Sequence, residues 1–321
     1  MKQQEKTRKT APTLLKKHLP MLLPYAGLGL VIVVFAILSD GVLLSQRNLT
    51  MVFNQLFPTL LCCIGATFYW AHGSIDLSIG SVIGVAGIVI GTLVNGGHIV
   101  WGLLGGIVVA LVFALVNGLL VTVFHIPSFL STLCVMFIAN GIHAYFTLKQ
   151  VIYISLDLTA LDQVGLKLIV AAVLIIVCYV LFEFSTIGKN NVAIGGNIRA
   201  AHFSGIKVTR ERIIAFLIGG VCVGIAAFFM VVRMKSVTST FGSGMQFNVM
   251  TSMVLGGTVI GGGKNAKIAN GVIGAITYTL LTNGLQLAGM PTEYVYLLKG
   301  IVFIGVVALT FKRKPDGLLP V

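Results

Sequence analysis

The chain has 321 residues, 57% of them apolar and only 10% charged, far below the roughly 25% charge of soluble domains. With a mean hydropathy of +1.00, this excludes a water-soluble protein and leaves a polytopic membrane protein. The net charge of +13 does not point to nucleic acid, because the basic residues cluster as they do when Lys and Arg are held on the cytoplasmic side. Six of the 22 lie in the first 17 positions, five in 185–212, and three at Lys312, Arg313 and Lys314. Attraction to anionic lipid of the inner leaflet follows from the same clusters.

In chain order, residues 1–20 read as a charged cytoplasmic tail rather than a cleaved leader. A membrane-spanning helix takes about 20 mostly apolar residues. Spans are predicted at 21–38, 51–70, 79–95, 99–124, 129–148, 166–183, 213–232, 247–261, 268–284 and 294–311, and 312–321 forms a second cytoplasmic tail. The predicted fold is an all-α polytopic membrane domain over 21–311, with about ten transmembrane helices. With both tails inside, the loop 185–212 and the turn at Lys264 and Lys267 also face the cytoplasm. That arrangement puts sixteen basic residues inside and five outside (Arg47, Lys149, Lys167, Arg233, Lys235), with Lys299 inside the last span.

The spans fall into two halves of five, divided near residue 150. Each half holds a glycine-punctuated break. The first is His72-Gly-Ser-Ile-Asp-Leu-Ser-Ile-Gly-Ser81, with Gly73 and Gly80. The second is Gly256-Gly-Thr-Val-Ile-Gly-Gly-Gly-Lys-Asn265, with Gly256, Gly257, Gly262 and Gly263. Paired breaks of this kind point to inverted repeats with a pathway near their interface.

Several polar residues are candidates for that pathway. Asp76 admits two readings: a helix-start device near the positive end of the next helix, with Ser78 and Ser81 as caps, or a direct part in transport together with Ser74 and Ser78. Lys299 is an intramembrane base, functional or snorkelling to the interface. Asn140 and His143, three apart on one helix, read as interhelical hydrogen-bond partners, with Asn140 also a pathway candidate. The cysteines Cys62, Cys63, Cys134, Cys178 and Cys222 all lie in apolar runs with no metal-ligand spacing, so they read as filler and no metal is expected.

The longest polar interval, 185–212, carries one short predicted helix. Asn197 is its N-cap, Ile198 to Ser204 the helix, and Gly205 the left-handed residue that ends it, with Ile206 packing back near Ala201. Two turns are not stable alone, so this helix needs a surface to lie on. Gly195, Gly196, Ala200 and Ala201 leave a side with little side chain, suited to close approach by another protein. An ordinary capped cytoplasmic loop is the alternative. Phosphate-binding loops and zinc-protease or hydrolase motifs are absent from the sequence, so uphill transport needs an ion gradient or a separate ATPase.

Taken together, these motifs resemble a known family. Gly73-Ser-Ile-Asp-Leu-Ser-Ile-Gly-Ser81 is similar to the G-G-I-D-L-S-V-G-S signature of the ribose-type, carbohydrate-uptake permease subunits of bacterial ABC importers. Ile126-Pro-Ser-Phe-Leu-Ser-Thr-Leu133, the elements of 186–206 and Gly256-Gly-Thr with Gly262-Gly263 follow in that family's order. The departures are Ser74 for a glycine and Lys264-Asn-Ala-Lys267 for a more glycine-rich turn. The resemblance implies about ten helices in two inverted five-helix halves, in a bacterial inner membrane. It implies a second permease copy, identical or not, and an extracytoplasmic substrate-binding protein. It also implies an ABC ATPase subunit that holds the ATP and Mg and docks on the 185–212 loop. The solute implied is a sugar or a sugar-like molecule. Permeases for branched-chain amino acids or nucleosides, and an ion-coupled secondary transporter, are the competing readings.

Overall fold

The computed structural model describes residues 14–305 apart from 149, 260, 264, 265, 292, 296, 299, 302 and 303, with side chains from Leu23 onward. Lys299, most of the first tail and the second tail therefore lie outside the described residues. The chain forms α1 (Leu14–Leu38), α2 (Gln46–Ala71), α3 (Ile79–Asn95), α4 (Ile99–Thr122) and α5 (Ser128–Thr147), then a two-residue strand β1 (Ile152–Tyr153). It continues as α6 (Val164–Tyr179), a π turn (Val180–Phe184), α7 (Thr186–Gly196), α8 (Ile198–Phe203), α9 (Val208–Met234), β2 (Ser236–Val237), α10 (Met245–Leu255) and α11 (Ile268–Leu287). Residues 293–295, 297–298, 300–301 and 304–305 are also helical. Among the described residues, α2, α4, α5, α6 with its π turn, and α9 are long and apolar enough to cross a bilayer, while α3 and Leu23–Leu38 of α1 are shorter apolar helices.

The hub is α2, which packs on α9, α11, α6, α10 and α7 and is almost wholly buried from Leu56 to Ala71. Rings lock it to its neighbours. Phe57 meets Phe229 edge-on at 5.1 Å, Phe68 meets Phe182 at 5.2 Å, and Tyr69 stacks on Phe216 at 5.2 Å. Lipid tails are as apolar as leucine, so association rests on close packing instead of apolar burial. The α4–α9 contact displays this. Gly102, Gly106, Ala110, Ala114 and Gly118, four apart, form the buried edge of α4. Gly220 and Gly224 of α9 face them, and a Cβ on Gly224 would lie 2.6 Å from the Ile107 Cα.

Two buried polar links cross the bundle. The amides of Asn48 and Asn283 donate to each other at 2.9 and 3.2 Å. Lys167, counted above with exposed loop residues, is only 1% exposed; its Nζ lies 2.5 Å from Asp162 and 2.7 Å from Asn54 Oδ1. β1 pairs antiparallel with β2, and the Asn95 amide clamps the end of β1, donating to Tyr153 O at 2.6 Å and accepting from Ser155 N–H at 3.0 Å. The neighbouring Asp157 carboxyl titrates lower than an ordinary aspartate, chiefly because the Thr159 N–H, and next its hydroxyl, bond to it.

The predicted span 247–261 is corrected. Its helix, α10, has 11 residues, about 16 Å at 1.5 Å per residue, roughly half the hydrocarbon thickness. The rest of that depth is filled by irregular backbone ahead of it, which runs antiparallel to α3. Val237 lies by Gly91, Phe241 by Gly87, and Gly242 by Gly80. Gly242 and Gly244 take left-handed conformations there (φ 79° and 80°). Thr238-Ser-Thr-Phe-Gly-Ser-Gly244 is thus a further break in the second half, read from sequence as an outer loop.

We expect Gly224→Leu to force α4 and α9 apart, at about 1–3 kcal/mol or more for overpacking. A clearly lower unfolding midpoint in detergent is the readout. Gly29→Leu, where a Cβ meets nothing within 4 Å, should leave the midpoint unchanged.

Candidate functional site

The first break begins where α2 stops. Gly73 is left-handed (φ 85°), and Gly73 and Ser74 N–H donate back to Trp70 and Tyr69 carbonyls at 2.9 and 3.0 Å, the glycine-capped ending expected of such a residue. The chain then runs nearly extended beside α5. Ile75 N–H donates to Ser128 Oγ at 3.2 Å, Leu77 N–H to Thr132 Oγ1 at 3.1 Å, and the Ser81 hydroxyl to Asn140 Oδ1 at 2.7 Å. Hydroxyls of α5 thereby satisfy backbone donors that lipid could not.

Asp76 serves the start of α3. Its Oδ1 accepts from Ser78 N–H at 2.8 Å, Ser78 Oγ at 2.6 Å and Asn117 Nδ2 at 3.4 Å, and Asn117 also donates to Ser78 Oγ at 2.9 Å. The expected roles are exchanged: Ser78 sits at the cap position but makes no side-chain cap bond. Instead the aspartate receives its N–H, while Ser81 reaches across to α5. Asn117, a polar residue inside an apolar span, was missed. Ser74 is 2% exposed and belongs to the capped turn.

The second break meets the first. Gly257 (φ 84°) ends α10 as Gly73 ends α2, with Gly257 and Thr258 N–H on Val254 and Met253 carbonyls at 2.9 and 3.0 Å. Gly256 lies against the Asn270 carbonyl. Gly262 and Gly263, both left-handed, come down on the end of α2, where Gly263 N–H donates to the Ala71 carbonyl at 2.7 Å.

The polar interval 185–212 is more ordered than the sequence indicates. Residues 186–196 form α7, capped by Ser185 Oγ on Ile187 N–H at 3.1 Å. Then comes α8: Asn197 Oδ1 accepts Ala200 N–H at 3.1 Å, and Gly205 (φ 84°) closes it with Ile206 N–H on the Ala201 carbonyl at 3.1 Å. The helix stops at Phe203, with Ser204 as its cap. The expected small-residue docking side is corrected. Ala201 is 4% exposed and faces its own chain, and Gly195 presses on the Ala71 carbonyl with Gly263 N 2.6 Å from where its Cβ would be. Consecutive helical residues diverge by about 100°, so Ala200 points outward. Gly196, Asn197, Ala200 and Gly205 are exposed, along with Ile198 at 44% and Phe203 at 88%.

A third set of groups lies where α5 meets the start of α10. Asn140, Ser243 and Phe247 are exposed there, and Gln246 Nε2 lies 4.0 Å from Met136 Sδ. Beside them the Tyr278 hydroxyl donates to Asn248 Oδ1. A Cβ on Gly80 would touch Gln246 and the Gly242 carbonyl. These groups are amide, hydroxyl and aromatic.

The family described as branched-chain amino acid transport system / permease component matches residues 48–307. A ribose import permease protein of Bacillus subtilis is 29% identical over 90% of this chain and 92% of its own. A D-allose transport system permease protein of Escherichia coli is 29% identical over 88% and 89%, and an L-arabinose ABC transporter permease protein of Azospirillum brasilense 31% identical over 88% and 86%. No solved structure matches the chain at a significant level.

The bonds of Asp76 generate a stability test. Asp76→Ala strands the Ser78 N–H, at about 1–3 kcal/mol for a donor left unsatisfied, and should lower the unfolding midpoint in detergent. Asp76→Asn keeps an acceptor oxygen and should recover most of the loss. Equal damage from both would mean that the charge, and not the bond, holds the turn.

Proposed function

Since the chain belongs to the branched-chain amino acid transport system / permease component family, we infer that it is the membrane-spanning permease subunit of an ATP-binding-cassette importer for a sugar or sugar-like solute. The chain conducts; a separate ATPase subunit binds ATP and Mg and hydrolyses it. An extracytoplasmic binding protein delivers the solute, and the pathway runs between two copies of the permease. Both termini and the α7–α8 element face the cytoplasm of a bacterial cell.

The observation that carries this reading is α8. It is a six-residue helix, too short to persist alone, capped at both ends, with Ala201 inward and Ile198 and Phe203 exposed. An apolar residue as exposed as Phe203, outside the long spans and among Arg199, Lys207 and Arg210, suits a protein groove. Two features favour a neutral polyol over a zwitterionic amino acid. The full-length relatives above are named for ribose, allose and arabinose, and the exposed polar residues Asn140 and Ser243 beside α10 are uncharged.

The test is reconstitution. With its ATPase and binding protein, the permease should accumulate sugar only with ATP; accumulation by this chain alone on an ion gradient would make it a secondary transporter. On α8, Phe203→Asp and Ala200→Trp should leave the protein folded, because both positions are exposed. Each should weaken co-purification with the ATPase by about 2 kcal/mol or more, an over tenfold loss in affinity. Undiminished assembly by both variants would return 198–203 to the status of an ordinary loop.

A further inference from the structure

The Ala71 carbonyl closes α2, and glycine backbones of two other segments enclose it. It accepts Gly263 N–H at 2.7 Å. A Cβ on Gly262 would lie 2.7 Å from it, and a Cβ on Gly195 would overlap it. Across the same point Gly73 and Gly261 approach so closely that a Cβ on Gly73 would be 3.0 Å from the Gly261 carbonyl. The obstructing atoms are backbone, so no side chain can swing aside to admit a methyl group.

Three segments therefore meet with nothing between them: the end of α7, the first break and the second break. Gly195 has ordinary helical geometry as part of α7, so close approach, not a special conformation, is what excludes a side chain there. From Gly195 it is two residues to Asn197, the N-cap of α8. On the far side, the first break leads through Asp76 and Ser78 into α3, and the second follows α10 and leads into α11. A displacement of α8 thus reaches both breaks through backbone contact, with no flexible side chain to absorb it.

We propose that this glycine junction, Gly195 against Ala71, Gly73, Gly262 and Gly263, is the mechanical link that turns movement of α7–α8 into movement of both breaks. Gly195 is its positioning residue, touching neither solute nor ATPase. The proposal rests on the reading of the chain as a permease driven through α8 by a separate ATPase.

The decisive variant is Gly195→Ala in the full transporter with ATPase and binding protein, measured for both ATP hydrolysis and sugar uptake. A damaged link predicts retained assembly and ATP hydrolysis, with uptake per ATP falling about tenfold or more, as expected when overpacking disfavours one of two arrangements. Gly165→Ala, where a Cβ meets nothing within 4 Å, should keep the parental ratio. A parental ratio in Gly195→Ala overturns the proposal. Absence of ATP-driven uptake in the unaltered complex would instead overturn the functional reading. Should Gly195→Ala fail to assemble, hydrogen exchange on the unaltered complex, with and without a non-hydrolysable ATP analogue, decides. Peptides carrying Gly73 and Gly262–Gly263 should change protection together with the α7–α8 peptide; a change confined to α7–α8 refutes the link.

Discussion

Backbone that leaves helical geometry inside an apolar slab has no water to turn to, so its N–H and C=O groups must find partners within the chain. Most of what is unusual in this structure answers that demand. The extended stretch after α2 lies along α5 because Ser128 and Thr132 of α5 supply acceptors for Ile75 and Leu77. Asp76 accepts the N–H that opens α3. The second irregular stretch is held by its own turns, with Phe241, Ser243 and Met245 N–H on the Thr238, Thr240 and Gly242 carbonyls. One side of it lies on α3, against which Val237 and Phe241 are buried.

Close packing does for this bundle what apolar burial does in water. Where glycine and alanine repeat at intervals of four on α4, backbones come within contact of α9 and accumulate many weak dispersion contacts. The same economy of side chains at the ends of α2, α7 and α10 has a different result. At the long α4–α9 contact, small residues sit within regular helices and the effect is rigidity. At Gly73, Gly257, Gly262 and Gly263 they sit in left-handed turns, so the contacts there join the termini of elements and not their flanks.

The fold class was legible because span-length apolar runs and the position of basic residues are signals of composition and order. The contacts put 186–196 beside 262–263, and β1 beside β2. The misses have local causes. Thr186–Gly196 contains three glycines and two asparagines, poor helix formers that read as loop, and tertiary contact with α2 and α9 overrides that preference. Thr238–Gly244 is polar and glycine-rich, which fits an outer loop as well as an irregular stretch half-buried along α3. Lys167 counts from sequence as one of the outside bases; only the fold brings Asp162 and Asn54 to it. Ala200 and Ala201 are adjacent in a helix too short to display a periodic stripe, so nothing local separates the inward residue from the outward one.

That separation leaves α8 buried on one side and exposed on the other. Ala201 is buried on one side of it, against α7 and α9 of the chain's own framework, while Phe203 and Ile198 are exposed on the other. A helix held on one side only is positioned without being covered, and its capped ends fix its orientation. Its lever arm is short. From Asn197 to Gly195 the chain has two residues in which to bend, and at Gly195 it already rests on the end of α2. Force applied to the exposed face therefore has little slack to take up before it reaches α2 and the breaks on either side of it.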